Sequence, residues 1–508
     1  MKPLAEKPPS APLVREVPLA MDAAEFRAAG HALVDQIAHL LASVPSGPVT
    51  RGESPAEVRS ALGLDGGLPE HGTAAGPLLE ETARRLFEHS LFNAHPRFFG
   101  YITASPAPIG MLGELLAAAL NPNCGGWTLA PAASEIEAQT VRWIAELIGF
   151  PRDCGGLLVS GGNMANMVAL WAARAAKADW DVRAAGAGGG RPMRVYASVE
   201  AHTWIKKAAD MAGLGTDSLR LIPVDHDLRM DVAALERQIA ADRAAGDLPF
   251  LVAGTAGSVS TGAIDPLPRI AALCHEQGLW FHVDGAYGAI AAALEHAPAD
   301  LRGLSLADSV AVDPHKWLYA PLEAGCALVR DPNALPRAFS YHPPYYEFED
   351  RGVNYFDHGP QNSRGFRALK VWLALRQAGA SGYRRMVHDD IALAAFLAEA
   401  VRTHPDLEFF THSLSITTYR CVPPDLRARA GSPAVDEYLD ALNKEVLERI
   451  QSGGEAFVSN AVIRDRYVLR ACVTNFNARP ADLAAVAEIS ARVGRAVDAE
   501  RRPAGLAG

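Results

Sequence analysis

The stretch Ser309-Val310-Ala311-Val312-Asp313-Pro314-His315-Lys316-Trp317 decides how this chain is read. A short apolar run stops at Asp313-Pro314, and a single lysine follows within Pro-His-Lys-Trp. Upstream, a second apolar run from Leu279 to Val283 ends on Asp284. Continuous apolar runs this short fit strands of a parallel sheet covered on both faces. Lys316 and Asp284 then fall at strand ends, where open α/β sheets bind their ligands.

The same pattern continues outward from these two runs. The spacing predicts strands at Gly156–Val159, Val195–Ala197, Leu219–Val224 and Phe250–Ala253. Between them it predicts helices at Asn163–Ala176, His202–Ala212 and Leu267–Gln277, and one capped by Asp231 and stopped at Gly246. Alternating strands and helices over residues 103–380 make an α/β domain with a mainly parallel sheet. Residues 20–102 read as a helical arm. There Phe26, Leu33, Val34, Ile37, Leu40 and Leu41 recur at helical spacing, and Ser54-Pro55-Ala56-Glu57 has the form of a capping box. Residues 381–500 read as a smaller α+β domain, with helices at Tyr383–Thr403, Val435–Ile450 and Ala481–Val497 and strands at Leu414–Cys421 and Tyr467–Val473. Residues 1–19 are a proline-rich leader, and 501–508 a tail. The glycine-rich stretch Ala184–Arg191 precedes a strand and opens no helix, so it is a linker.

Composition narrows the function. The chain has 508 residues, 48 basic against 58 acidic, and a net charge of -10. It has no basic stripe of the kind that binds nucleic acid. The longest apolar segment, Ile109 to Leu120, is interrupted by Glu114 and is too short to span a membrane. Six scattered cysteines without a CxxC pair point to a reduced, cytoplasmic protein. The histidines show no zinc-ligand spacing.

Four groups at strand ends carry chemistry. Ser160-Gly161-Gly162-Asn163 lies between a strand and a helix. Its glycines let backbone approach an anion, and the helix offers free N–H groups; a phosphate fits, and so does a plain tight turn. His202 follows the strand that ends near Ser198; its ring either stacks on a flat cofactor or caps its own helix. Asp284, in His282-Val283-Asp284-Gly285-Ala286-Tyr287, is costly to bury without a cationic or N–H partner. A protonated pyridine nitrogen would serve, with Ala286 alternating onto the same side. Lys316 sits between apolar flanks, where desolvation lowers a lysine's pKa and readies it to form a Schiff base. A lysine for the aldehyde and a carboxylate for the ring nitrogen together suit pyridoxal phosphate (PLP).

In Gly161-Gly162-Asn163-Met164-Ala165-Asn166, His202, the Asp284 motif and Asp313-Pro314-His315-Lys316-Trp317, the chain resembles the group II PLP-dependent amino acid decarboxylases. This family includes the aromatic-L-amino-acid and tyrosine decarboxylases. The likeness runs from about Met21, through His95-Pro96-Arg97-Phe98-Phe99-Gly100-Tyr101, to the last helix. It implies a fold-type I enzyme with a seven-stranded sheet, acting as a homodimer with a shared active site. It also implies that Lys316 holds PLP as a Schiff base, Asp284 pairs with the ring nitrogen, and His202 and Ala286 flank the ring. Gly162 and Asn163 would hold the phosphate, with Thr255 along the ring and His315 beside the phosphate and the lysine. Ser363 of Gln361-Asn362-Ser363 would reach the partner's phosphate. Tyr345, with Tyr341 and Tyr346 as rivals, would return a proton to Cα, and a tyrosine there favours decarboxylation over oxidative aldehyde formation. An aldehyde synthase or aminotransferase on the same scaffold is the alternative; a non-catalytic binding homologue is a further one.

The chain also departs from the family pattern. Asn93 and Gly125 stand where the aromatic-specific enzymes place bulky aromatics, and Tyr101 and Thr103 are expected in the substrate pocket. Asp313 stands in place of an asparagine near the phosphate. A carboxylate would repel that phosphate, so Asp313 is expected to pair elsewhere or to lie further off than the resemblance implies.

Overall fold

The computed structural model describes residues 17–342 and 352–506. These form two compact units, Met1–Leu91 and Phe92–Gly508. The first unit holds the helices Ala23–Ser43, Pro55–Leu62 and Ala75–Glu88. Asp22 caps the first helix by accepting from the N–H groups of Ala24 and Glu25. Ser54 and Glu57 complete the expected capping box, satisfying donors that a helix start leaves open.

The second unit is built on a seven-stranded sheet. Its strands are β1 (Gly155–Val159), β2 (Met193–Ser198), β3 (Leu219–Ile222), β4 (Leu248–Thr255), β5 (Trp280–Asp284), β6 (Ser309–Val312) and β7 (Gly325–Val329). Their spatial order is β1-β7-β6-β5-β4-β2-β3. β7 runs antiparallel to both its neighbours, while β2 to β6 pair in parallel. β1 therefore runs with the parallel set, and its C-terminal end opens on the same edge. Register places Thr255 beside Asp284 and Asp284 beside Ala311, so the candidate groups start as neighbours. The strands are buried almost throughout, because helices such as Gly162–Lys177 and Leu267–Gln277 cover the faces. This is the architecture of a fold-type I PLP enzyme.

A second sheet, entirely antiparallel, joins β8 (Leu407–Ser413), β9 (Ile416–Cys421), β10 (Ser459–Ile463) and β11 (Arg466–Cys472) in the order β10-β11-β9-β8. The helices Pro433–Gly453 and Pro480–Arg501 pack on it around Leu439, Val446, Leu469 and Leu483. The helix Ala368–Thr403 leads into this region and breaks at Gly379, where φ is 64°. Glycine takes that left-handed conformation without the steric cost other residues meet. Three strands are not marked by the sequence pattern: β7, β8 and β10. The long helix also begins 15 residues before the expected Tyr383, because the break at Gly379 interrupts its pattern.

Candidate active site

A cavity of about 410 Å³ opens at the C-terminal edge of the parallel strands. Among the expected residues it is lined by Gly162, Asn163, His202, Thr255, Asp284, Ala286, Lys316, Tyr101 and Thr103, and by Asp313. β5 delivers Asp284, which is 8% exposed and accepts from the Ala286 N–H at 3.2 Å. The turn after β6 delivers Lys316. Its Nζ lies 3.0 Å from Asp313 Oδ2, and His315 Nε2 lies 3.8 Å from the same oxygen. Asp313 thus pairs with the lysine, while its other oxygen is buried with no partner among the described residues.

The loop after β1 makes the anion end. Gly161 has a φ of 132° and precedes the 16-residue helix Gly162–Lys177, whose start carries no side-chain cap. A Cβ on Gly162 would stand 2.5 Å from Asp313 Oδ2 and 3.1 Å from the Ala286 Cβ. Glycine here lets the helix start pack closely against Asp313 and Ala286, and the open N–H groups of an uncapped helix start suit a phosphate. His202 is open to the cavity, and its Nδ1 accepts from the Trp204 N–H at 3.2 Å. Desolvation is the main cause lowering its pKa, with Asp284 opposing, so a neutral ring is available for stacking. A flat imidazole, a carboxylate, a lysine and a helix start thus share one chamber, and PLP would fit these residues.

Behind the chamber, His282 is fully buried between Ser309 Oγ (2.8 Å from Nδ1) and Asn166 Oδ1 (2.6 Å from Nε2). Burial lowers its pKa to about 4. The neutral ring then donates from Nε2 to Asn166, which lines the cavity, and accepts at Nδ1.

Other expected residues stand apart. His315 lies just behind the lining, with Nδ1 2.6 Å from the Ala324 carbonyl oxygen. Asn93 donates to the Ala104 carbonyl at 3.2 Å and is absent from the lining. Gly125 is buried, and a Cβ there would meet the Asn362 carbonyl oxygen at 2.1 Å. Its lack of a side chain accommodates the chain's own backbone. Ser363 is exposed. Tyr341 is exposed, with the Arg183 guanidinium 4.1 Å from its ring centre. Tyr345 and Tyr346 lie outside the described residues.

One lining residue carries no signal in the sequence. Arg470 on β11 is 3% exposed; its Nε donates to Ser459 Oγ at 3.1 Å and its Nη1 to the Val259 carbonyl. No acidic side chain among the described residues forms an ion pair with it, and desolvation lowers its pKa. A buried cation without a counter-charge is costly, which makes this corner of the cavity a place for an anionic group.

Comparison with known proteins agrees with this geometry. Residues 56–418 match the pyridoxal-dependent decarboxylase conserved domain. The chain belongs to the pyridoxal-dependent decarboxylases. It is 33% identical over 466 residues to an aromatic-L-amino-acid decarboxylase of Bacillus atrophaeus, covering 90% of this chain and 93% of that one. It is 31% identical over 412 residues to a cysteine sulfinic acid decarboxylase of Mus musculus, covering 80% and 83%. The structure of Oryza sativa TDC with PLP and tryptamine superposes with a TM-score of 0.86 at 26% identity, covering 95% of this chain and 99% of that one. This decarboxylase is thus a group II, PLP-dependent carboxy-lyase acting on an amino acid. Among the described residues, no helix is long and apolar enough to cross a membrane.

Proposed function

We propose that this enzyme removes the α-carboxylate of an aromatic L-amino acid as CO2, with Lys316 as the residue that carries PLP. The observation that carries the reading is that Lys316 and Asp284 line one cavity beside an uncapped helix start. When bound, PLP supplies an aldehyde that takes up the substrate amine and a ring that accepts the electron pair left as CO2 departs. Asp284 keeps the ring nitrogen protonated by its negative charge. His202, Ala286 and Thr255, which line the same cavity, would flank the ring. Gly162, Asn163 and the N–H groups of their helix would hold the phosphate, with His315 beside them, and Ser363 would reach it from a partner subunit. Asp313, 3.0 Å from Lys316 Nζ, would orient that side chain. Tyr345 returns a proton to the substrate Cα.

Arg470 would orient a carboxylate. In the first reading this is the α-carboxylate of an aromatic substrate, with Tyr101 and Thr103 around the side chain. A second reading is favoured by the absence of a described counter-charge at Arg470: an acidic side chain, as in the substrate named for the Mus musculus relative. A panel of aromatic and acidic amino acids, scored for CO2 and amine, tests both. Under the first reading Arg470→Met raises KM for every substrate; under the second it abolishes only the preference for acidic ones. Peroxide with CO2 but no amine would refute simple decarboxylation, and keto acid without CO2 would refute decarboxylation altogether.

The enzyme acts as a homodimer in the cytoplasm. Support for the dimer is the exposed apolar row Leu112, Leu115, Leu116 and Leu120 on the helix Pro108–Leu120, with Leu129 and Leu322 also exposed. Apolar clusters of this kind mark association surfaces. Six free cysteines, five of them buried, suit a reducing compartment.

A further inference from the structure

The turn that carries Lys316 is held from below by one carboxylate. Lys316 points toward the cavity, while its neighbours point the other way. Trp317 and Tyr319 are 0% and 1% exposed and converge on Asp390, itself 2% exposed. Trp317 Nε1–H donates to Asp390 Oδ2 at 2.8 Å, and the Tyr319 hydroxyl donates to the same oxygen at 2.5 Å. The backbone N–H of Asn475 adds a third donor. Between the two side chains, the Leu318 carbonyl accepts from the Tyr383 hydroxyl at 3.0 Å. Asp390 and Tyr383 both lie on the helix Ala368–Thr403.

The turn needs such a hold. Tyr319 has a φ of 56°, a left-handed conformation that a bulky residue adopts only under constraint. Its N–H donates to the Lys316 carbonyl, and the Ala320 N–H donates to that of Pro314. Position at Lys316 is thereby tied to Tyr319, and Tyr319 to Asp390. On its other side Trp317 stacks on Tyr287, with ring centres 4.8 Å apart and planes at 16°. Tyr287 lines the cavity, so the same contact also supports the wall.

We propose that Asp390 is a positioning residue for Lys316, fixing through Trp317 and Tyr319 the turn that presents the amine to the cofactor. This rests on the assignment of Lys316 as the PLP lysine. Burial raises the Asp390 carboxyl to about 7, against the pull of its three donors. The titratable groups around it are Tyr319, Tyr287 and Cys472 from the packed segments and Asp389 on its own helix. Burial pushes the first three upward, so they stay neutral near pH 7. Arg479 lines the cavity adjoining Asp389 and Asp390. Asp390 therefore gains its charge across neutral pH. Hydrogen bonds to a carboxylate are stronger than those to a carboxylic acid, so the turn tightens as pH rises through 7.

The test uses the PLP-loaded enzyme with Asp390→Ala, Asp390→Asn and Tyr319→Phe. It follows the absorbance band of lysine-bound cofactor against pH, the rate of cofactor loss, kcat and KM. Asp390→Ala should shift the band's pH midpoint, speed cofactor loss about tenfold and lower kcat with KM nearly constant. Asp390→Asn, whose amide oxygen accepts the same bonds, should restore retention but remove the step near pH 7. Tyr319→Phe should fall between, and it decides the matter if Asp390→Ala does not fold. A normal wild-type band left unmoved by Asp390→Ala and Tyr319→Phe overturns the latch alone. No band in the wild type overturns the Lys316 assignment and the latch with it.

Discussion

Lys316 and Asp284 each stand at the end of an apolar run, and that placement makes both legible in the amino-acid sequence alone. Lys316→Ala should abolish the absorbance band of lysine-bound PLP and reduce CO2 release by at least about 10²–10⁴-fold, the scale for losing a positioned proton-transfer group. Absorbance and CO2 assays check both outcomes. Asp313 is legible only as an oddity. Its carboxylate lies 3.0 Å from Lys316 Nζ and close to Gly162 at the phosphate end. Removing that charge in Asp313→Asn should tighten PLP binding about tenfold by relieving repulsion of the phosphate, as measured by equilibrium dialysis of the apoenzyme. Arg470 and Asp390 are not legible, because each gains its meaning from segments far away in sequence. Arg470 is an ordinary strand residue until β10 and Val259 close around it, and Asp390 is a helix residue until the lysine turn lands on it. Gly125 misleads for the same reason: its partner is the backbone of Asn362.

Elements with an unbroken apolar run or a clear apolar face are the easiest to read. The fully buried strand β6 and the one-face-buried helix Leu267–Gln277 match the expected bounds residue for residue. β7 follows the lysine turn with no helix between, so the alternation that reveals the others does not mark it. β8 and β10 carry polar residues on half-exposed faces, which blurs their apolar signal. Between elements, the Arg364–Glu137 pair is the firmest tie. Arg364 donates to Glu137, to the Leu158 carbonyl at 2.6 Å and to the Cys124 carbonyl at 3.0 Å. Glu137 in turn accepts the Leu158 N–H at 2.8 Å. The pair therefore fixes β1, and with it the phosphate turn, to the helix Pro131–Leu147. Arg364→Met leaves a buried carboxylate uncompensated and should cost about 3–5 kcal/mol, seen as a lower urea midpoint. His282 acts between β5, β6 and the helix Gly162–Lys177. With a folded pKa of about 4 against an ordinary value of 6.5, the unfolded state binds more protons between those values. Its contribution therefore rises with pH across that window and is lost on acidification. Denaturation of wild type against His282→Gln over the same range should show a difference that grows toward neutral pH.

At the scale of the whole molecule, the row of exposed leucines on Pro108–Leu120 carries the prediction. Leu112→Glu with Leu116→Glu should convert a sedimenting dimer to monomer without lowering the helical signal. If Ser363 of one subunit serves the other's phosphate, the monomer should also lose PLP. Retention of the dimer by this double variant would place the interface elsewhere.

β7 has one more consequence, and it concerns time. Among the described residues β1 is paired with β7 alone, Val159 opposite Gly325. On the ribosome, β1 and the glycine turn that follows it emerge early, yet their only strand neighbour comes after the lysine turn has been made. Long-range pairing of this kind is slow and leaves strand edges open meanwhile. Released chains that end before Gly325 should therefore fail to capture PLP, although Asp284 and Lys316 are present. The vitamin can act as a ligand for this protein only once synthesis has passed the reversed strand.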